Sequence, residues 1–272
     1  MDTDIALDTR TQGQRPVRET TAPGGWPAVG MIVLYFLLQA LFATLFASAA
    51  SLAVLLGGST DRANLGPAIK ILLGRPDIGA LLVAVALCGA AATMLWLVRL
   101  RWPTLWPLAQ PPGFGWSAPS SGVFYVYAIA AGVVLPVLGG YLTHFLAQGH
   151  PVPQDIKLLS ARAPQAYKAL LAMLAIIVAP LVEEVLFRGV LLSAWLRRLP
   201  VAWAVAATAT LFALVHLPDL KYLWYGLPNL AMLGAAFAWL RLRSGSLWPA
   251  VVAHGMNNLV SLLGVFFAAH GV

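Results

Sequence analysis

Three ionisable side chains interrupt an apolar segment of this sequence. Within residues 181–190, Glu183 and Glu184 are adjacent, and Arg188 follows Glu184 by four residues. A charged side chain at the centre of a bilayer costs at least about 2.5–3.5 kcal/mol, so such residues persist where they face a protein interior or a wet cavity. On a helix Glu184 and Arg188 share a face and can pair, while Glu183 points about 100° away. We therefore expect Arg188 to neutralise one carboxylate while its neighbour faces elsewhere; periodicity alone does not divide the duties between Glu183 and Glu184.

Two later apolar segments carry histidines at helical spacing. His216 follows Phe212 by four residues, and His254 precedes Asn258 by four. Each pair therefore shares one helix face, and Phe212 can form a wall beside His216. Glu183 and His216 each lie about 21–23 Å of helix from the loop between their segments, so an antiparallel helix pair would place them at one depth. His254 is shallower, and helix tilt must bring it to the same level.

An acid, two imidazoles and an amide in one wet pocket have the chemistry needed for peptide hydrolysis. A carboxylate that is partly desolvated becomes a stronger base, so we expect Glu183 to polarise water while His216 orients that water. His254 and Asn258 would donate hydrogen bonds to the oxyanion of the tetrahedral intermediate.

A zinc site is the alternative use of the same residues. Glu183, His216 and His254 could form a two-histidine, one-glutamate site with an open position for water. We favour metal-free chemistry, so no cofactor is firmly expected and zinc remains the alternative.

Composition indicates that lipid surrounds most of this chain. Of 272 residues, 60% are hydrophobic and 10% charged, and the mean hydropathy is +0.80. Soluble domains carry roughly 25% charged residues. The apolar segments do not alternate as the strands of a membrane barrel do. The predicted fold is all-α: a polytopic transmembrane helical bundle of about seven spans (six to eight), whose net charge of +7 suits anionic headgroups. We expect membrane lipid as a partner and no nucleic acid.

The candidate spans divide the chain into three regions. A polar tail, residues 1–25, is predicted to be disordered; residues 26–164 form N-terminal membrane helices and loops, and residues 165–268 a catalytic core of four helices. The segments predicted to span the bilayer are about 26–56, 78–98, 122–146, 167–196, 201–217, 222–240 and 247–268.

The loops between the spans give an expected orientation. Arginines before the first span and after the even-numbered ones predict a cytoplasmic N-terminus, typical of a multi-pass protein of a bacterial-type inner membrane; they are Arg10, Arg15, Arg18, Arg99, Arg101, Arg197, Arg198, Arg241 and Arg243. The Trp- and Pro-rich linker 101–121 is expected at the headgroup level, and residues 149–165 form a surface loop or a lid. His144 and Asp219 are interpreted as incidental polar residues at span ends.

Taken together, these motifs resemble the CAAX-protease and bacteriocin-processing (CPBP or Abi) family of intramembrane endopeptidases, which is related to the Ras-converting CAAX prenyl protease. The resemblance covers about residues 165–268, and the motifs are Glu183-Glu184-x-x-x-Arg188, Phe212-x-x-x-His216 and His254-x-x-x-Asn258. It implies an endopeptidase that acts on a membrane-associated protein or peptide, with Glu183 as the essential glutamate. Both glutamate-type and metal-dependent chemistry are described for this family.

Two other functions fit buried carboxylates. A proton-coupled transporter uses such groups as relays, but transporters usually have paired repeats in both halves, and here the strong polar signals lie in the C-terminal part. A non-catalytic membrane scaffold or immunity protein would not need Glu183 for its effect.

Overall fold

The computed structural model describes residues 22–57, 62–150 and 163–269. The predicted tail, apart from its last residues, and most of the predicted loop or lid at 149–165 lie outside this part. The described residues form eight helices and no strand, which confirms the all-α prediction; the helices are α1 Gly25–Leu56, α2 Leu65–Leu73, α3 Pro76–Arg101, α4 Val123–Ala147, α5 Gln165–Leu196, α6 Val201–Val215, α7 Leu227–Ser244 and α8 Trp248–Ala269.

Four of these helices are long and apolar enough to cross a membrane by length and composition: α1, α3, α4 and α5. They expose large apolar side chains such as Leu56, Tyr141 and Phe145, which a protein surrounded by lipid can leave uncovered. The protein is an integral membrane protein. The predicted count of seven spans also requires α6, α7 and α8, and it stays a prediction.

Two boundaries differ from the sequence-based expectation. The short helix α2 lies between the first two predicted spans, where no element was predicted. The sixth predicted span, 222–240, begins late, because Lys221 and Tyr222 have φ angles of +53° and +62° and a 3₁₀ turn at Trp224–Gly226 precedes α7. Left-handed backbone cannot continue a right-handed helix, so α7 begins only at Leu227.

The aromatic linker between α3 and α4 packs into the protein instead of serving only as a headgroup-level loop. Trp102, Trp106 and Phe114 are buried in the main core cluster. Arg241, predicted as an orienting charge, is also buried and donates to the carbonyl oxygens of Ala109 at 2.8 Å and Gly113 at 2.7 Å. Burial of an arginine requires such acceptors, so Arg241 fixes this linker against the end of α7.

Helix α5 is the central element of the bundle. It contacts α1 and α3 as well as α6, α7 and α8. Helix α8 packs closely against the first half of α5 because residue 255 is a glycine. A Cβ on Gly255 would lie 2.5 Å from the carbonyl oxygen of Ile176. The two glutamates of α5 thereby lie beside the helices that carry both histidines.

Candidate active site

The glutamates lie between two wide turns of α5. π-Helical segments at Leu174–Val178 and Val185–Leu191 flank the α-helical segment Ala179–Glu184. Such π turns are often found at functional sites. In the first of them the N–H of Ala179 bonds to the carbonyl of Leu174. Pro180 has no N–H to donate, so the next carbonyl, that of Ala175, needs another partner.

Asn258 supplies that partner. Its Nδ2 donates to the Ala175 carbonyl oxygen at 2.7 Å, and its Oδ1 accepts from Nδ2 of Asn257 at 2.9 Å. One N–H of Asn258 is thus used for positioning, and the other remains for a ligand. The sequence contained the signal for this contact, a proline inside α5, but its consequence for Asn258 was missed.

A fully buried network holds the second glutamate. Arg188 donates to Oε1 of Glu184 at 3.1 Å, which is the pairing predicted from their spacing, and to the carbonyl oxygen of Gly234 at 3.0 Å. Nδ1 of His254 lies 2.9 Å from the same Oε1. Glu184 and Arg188 have no exposed side-chain surface, so this network acts inside the protein and sets the orientation of the His254 ring.

Aromatic rings enclose this network. The guanidinium carbon of Arg188 lies 4.4 Å from the centre of the Phe212 ring, within the range of a cation–π contact. Phe212 also contacts His216, at a centroid distance of 4.8 Å, as its spacing predicted. Phe237 stacks on His254 at 5.0 Å with an interplanar angle of 20°. These rings exclude water from the ion pair and restrict both imidazoles.

Glu183 faces the two histidines. Its Oε2 lies 3.8 Å from Nε2 of His216 and 3.9 Å from Nε2 of His254. The helix geometry therefore brings together the three groups that the sequence placed on separate segments. His254 reaches the same level as His216, as the expected tilt requires.

Hydrogen bonding decides which ring nitrogens carry protons. Nδ1 of His216 lies 2.7 Å from the carbonyl oxygen of Phe212. A carbonyl can only accept, so this Nδ1 bears a proton, and Nε2 of a neutral His216 has a free lone pair. The carboxylate of Glu184, whose charge Arg188 balances, accepts from Nδ1 of His254 in the same way. Both Nε2 atoms therefore turn lone pairs towards Glu183.

Three hydrogen-bond acceptors, Oε2 of Glu183 and the two histidine Nε2 atoms, face one point, so a hydrogen-bond donor or a cation is needed between them. Oε2 of Glu183 is buried and has no hydrogen-bond partner in the protein. A buried polar atom without a partner costs about 1–3 kcal/mol. A water molecule that donates two hydrogen bonds, a shared proton or a cation would remove that cost. The arrangement is suited to holding and polarising water.

The same three side chains have the donor types of a zinc site. Zinc binds histidine and carboxylate at about 2.0–2.2 Å, so neighbouring ligands of a tetrahedral ion lie about 3.4 Å apart. The distances of 3.8 and 3.9 Å are wider, and the described residues hold no group of three or more His, Cys, Asp or Glu at ligand spacing. The donor types do fit, since each histidine is anchored through Nδ1 and offers Nε2. Glu183, His216 and His254 would therefore hold such an ion only if these distances shortened, and it would then supply a Lewis acid.

The trio opens into a cavity of about 520 Å³. Asn257 and Asn258 line it too, whereas Glu184 and Arg188 do not. Several polar residues that the sequence did not single out for the site, or that it treated as incidental, also line the cavity: Gln39, Thr143, His144, Asp219, Asn229 and Ser261. They come from α1, α4, α7, α8 and the turn after α6, so only the tertiary fold could reveal them.

An all-helical membrane bundle with a polar, partly water-accessible site inside it defines the class of this protein. A family model described as Type II CAAX prenyl endopeptidase Rce1-like matches residues 165–260. The match covers about a third of the chain, and it confirms the resemblance carried by the three motifs within those residues. This similarity supports, at the level of the family, a membrane-embedded endopeptidase. Comparisons with curated proteins and with solved structures each found no match.

Proposed function

We propose that this protein hydrolyses a peptide bond of a membrane-associated protein or peptide by means of a water molecule activated by Glu183. The observation that carries the proposal is the convergence of the Glu183 carboxylate with Nε2 of His216 and Nε2 of His254, at 3.8 and 3.9 Å. An acid, two bases and a buried cavity at one point suit water activation. A transporter or a scaffold has no need of that convergence.

In the proposed reaction, Glu183 accepts a proton from water while His216 fixes the orientation of that water. The water oxygen attacks the carbonyl carbon of the scissile bond and forms a tetrahedral intermediate. The proton then passes to the amide nitrogen, the carbon–nitrogen bond breaks, and a carboxylic acid and an amine leave. No covalent enzyme intermediate is needed.

His254 and Asn258 are proposed to stabilise the oxyanion. Asn258 has one N–H left after its bond to the Ala175 carbonyl. His254 donates from Nε2 only as an imidazolium, because its Nδ1 proton is used by Glu184. The contact with Glu184 fixes the orientation of the His254 ring, which explains why a buried ion pair lies directly behind the site.

The substrate is proposed to be an apolar peptide segment that enters from the membrane. The cavity wall combines the polar groups above with apolar side chains, including Leu87, Leu174, Leu230, Leu233 and Leu262. A membrane protein's own segment could place an extended strand there while its flanking residues stay in lipid. The protein is further proposed to lie in a bacterial-type inner membrane with a cytoplasmic N-terminus.

Comparative membrane proteomics tests this function. Cells that carry Glu183→Gln are expected to accumulate at least one uncleaved membrane peptide that wild-type cells process. Asp77→Asn, which removes a carboxylate paired with Arg75 away from the site, serves as the control and should process normally. Equal peptide profiles in Glu183→Gln and wild-type membranes, at equal protein abundance, would favour the scaffold alternative.

A further inference from the structure

Two adjacent asparagines of α8 make an uncommon contact. Asn257 and Asn258 are neighbours in the sequence, and neighbouring side chains on a helix point about 100° apart. Residues one position apart therefore do not normally face each other. The Nδ2 of Asn257 nevertheless donates to Oδ1 of Asn258 at 2.9 Å. Both side chains must turn towards each other to form this bond, so the contact requires an explanation.

The amide of Asn258 is held at both of its polar atoms. Its Nδ2 donates to the Ala175 carbonyl oxygen at 2.7 Å, and its Oδ1 accepts from Asn257. The terminal torsion of asparagine has no steep preference of its own. Turning the amide over would place oxygen against the Ala175 oxygen and nitrogen against the nitrogen of Asn257. Because both of those contacts join like groups, the two partners together select one orientation.

This orientation decides which atom of Asn258 meets a ligand. Asn258 is half-buried and lines the cavity, whereas Asn257 is only 8% exposed. In the observed orientation the second N–H of Asn258 remains for a ligand. In the reversed orientation an oxygen would take the place of that nitrogen and would repel an oxyanion. The bond accepted at Oδ1 also polarises the amide, which strengthens its N–H groups as donors.

We propose that Asn257 is a positioning residue for peptide hydrolysis, which orients and polarises the Asn258 amide for stabilising the oxyanion; this inference rests on the proposed function. Asn257 acts through Asn258 and does not need to touch the substrate. It lies between His254 and Asn258, at a position that the third motif leaves unspecified. A role in packing alone would instead affect stability, without depending on the amide of Asn258.

A double-mutant cycle tests this role. In proteoliposomes, the probe is a quenched fluorescent peptide with the sequence of the peptide that accumulates in Glu183→Gln membranes. Asn257→Leu removes one hydrogen bond and is expected to lower kcat by about two- to twelvefold. KM should stay at the wild-type value, because the oxyanion exists only beyond the ground state. In an Asn258→Leu background, Asn257→Leu should cost nothing further, since a removed contact cannot be lost twice.

Further variants separate this contact from general effects. Asn257→Ala, which needs no additional room, gives a second cycle with the same expected result. The control Asn64→Leu changes an exposed asparagine that makes no side-chain capping bond at the start of α2, and it should cleave normally. Unfolding temperatures of all variants, measured in detergent micelles, show that the compared rates belong to folded protein.

The outcomes distinguish this inference from the proposed function. A phosphonamidate analogue of the probe has a tetrahedral centre in place of the scissile carbonyl, so Asn257→Leu should weaken its binding by the same factor as kcat. Wild-type kcat in Asn257→Leu, or an equal loss from this change with and without Asn258, would overturn the role of Asn257. Full-rate cleavage by Glu183→Gln would instead overturn the proposed function.

Discussion

Replacing Arg188 by methionine should destabilise the folded protein by about 3–5 kcal/mol, the usual cost of breaking a buried ion pair. Methionine is apolar and has no charge or donor. Its introduction would leave Glu184 buried beside no cation and the Gly234 carbonyl without its donor. Arg188 makes these two bonds at 3.1 and 3.0 Å. A hydrogen bond to a charged group contributes about 1.5–3 kcal/mol, and two of them account for this range.

A double variant separates stability from catalysis. A buried ion pair replaced by apolar residues of similar volume is often as stable as the original, so Glu184→Leu with Arg188→Met should recover most of the lost stability. His254 would still lose the acceptor of its Nδ1 proton. Cleavage is therefore expected to remain lost in a protein that folds normally.

Two measurements check this pair of variants. Unfolding in detergent micelles gives the stability difference. Cleavage in proteoliposomes of a quenched fluorescent peptide, with the sequence of the peptide that accumulates in Glu183→Gln membranes, gives the activity. Arg243→Met, which removes an exposed arginine of α7, is the matched control and should change neither. A loss below about 1 kcal/mol in Arg188→Met, the size typical of an exposed pair, or wild-type cleavage by the double variant would refute the role assigned to this network.

Three further predictions concern the same site. Gly255→Ala places a Cβ 2.5 Å from the carbonyl oxygen of Ile176 and so should push α8 away from α5. Because a displacement of about 1 Å can cost about a hundredfold in rate, kcat should fall by that order. The control Gly264→Ala, with open space around the added Cβ, should cleave normally. Asn258→Asp removes the donor to the Ala175 carbonyl and should lower the free energy of unfolding by about 1–3 kcal/mol. An unchanged free energy of unfolding would contradict the role of Asn258 as the partner of that carbonyl. Exhaustive chelation with metal analysis should leave cleavage intact, and activity lost on chelation and regained with zinc would establish the metal-dependent alternative.

Helix periodicity explains which parts of the site the sequence predicted. Spacing alone paired Glu184 with Arg188 and placed Phe212 beside His216, because residues four apart share a helix face. The meeting of Glu183 with His216 followed from equal helix lengths to a common loop. These features depend on local geometry and on depth in the membrane, both of which a sequence expresses directly.

Contacts between distant helices could not be predicted in this way. The bond from Asn258 to Ala175 depends on the register between α8 and a π turn in α5. The burial of Arg241 depends on how the aromatic linker folds back. Such contacts arise from packing, and packing is decided by the whole fold.

The most direct test of the account is the rate at which purified Glu183→Gln cleaves the wild-type substrate in proteoliposomes. Glutamine has the shape of glutamate but cannot accept a proton from water. Because general-base catalysis contributes about a hundredfold or more, kcat/KM should fall by at least that factor while the unfolding temperature stays at the wild-type value. Cleavage within a few fold of wild type would contradict the role of Glu183 as the base that activates water.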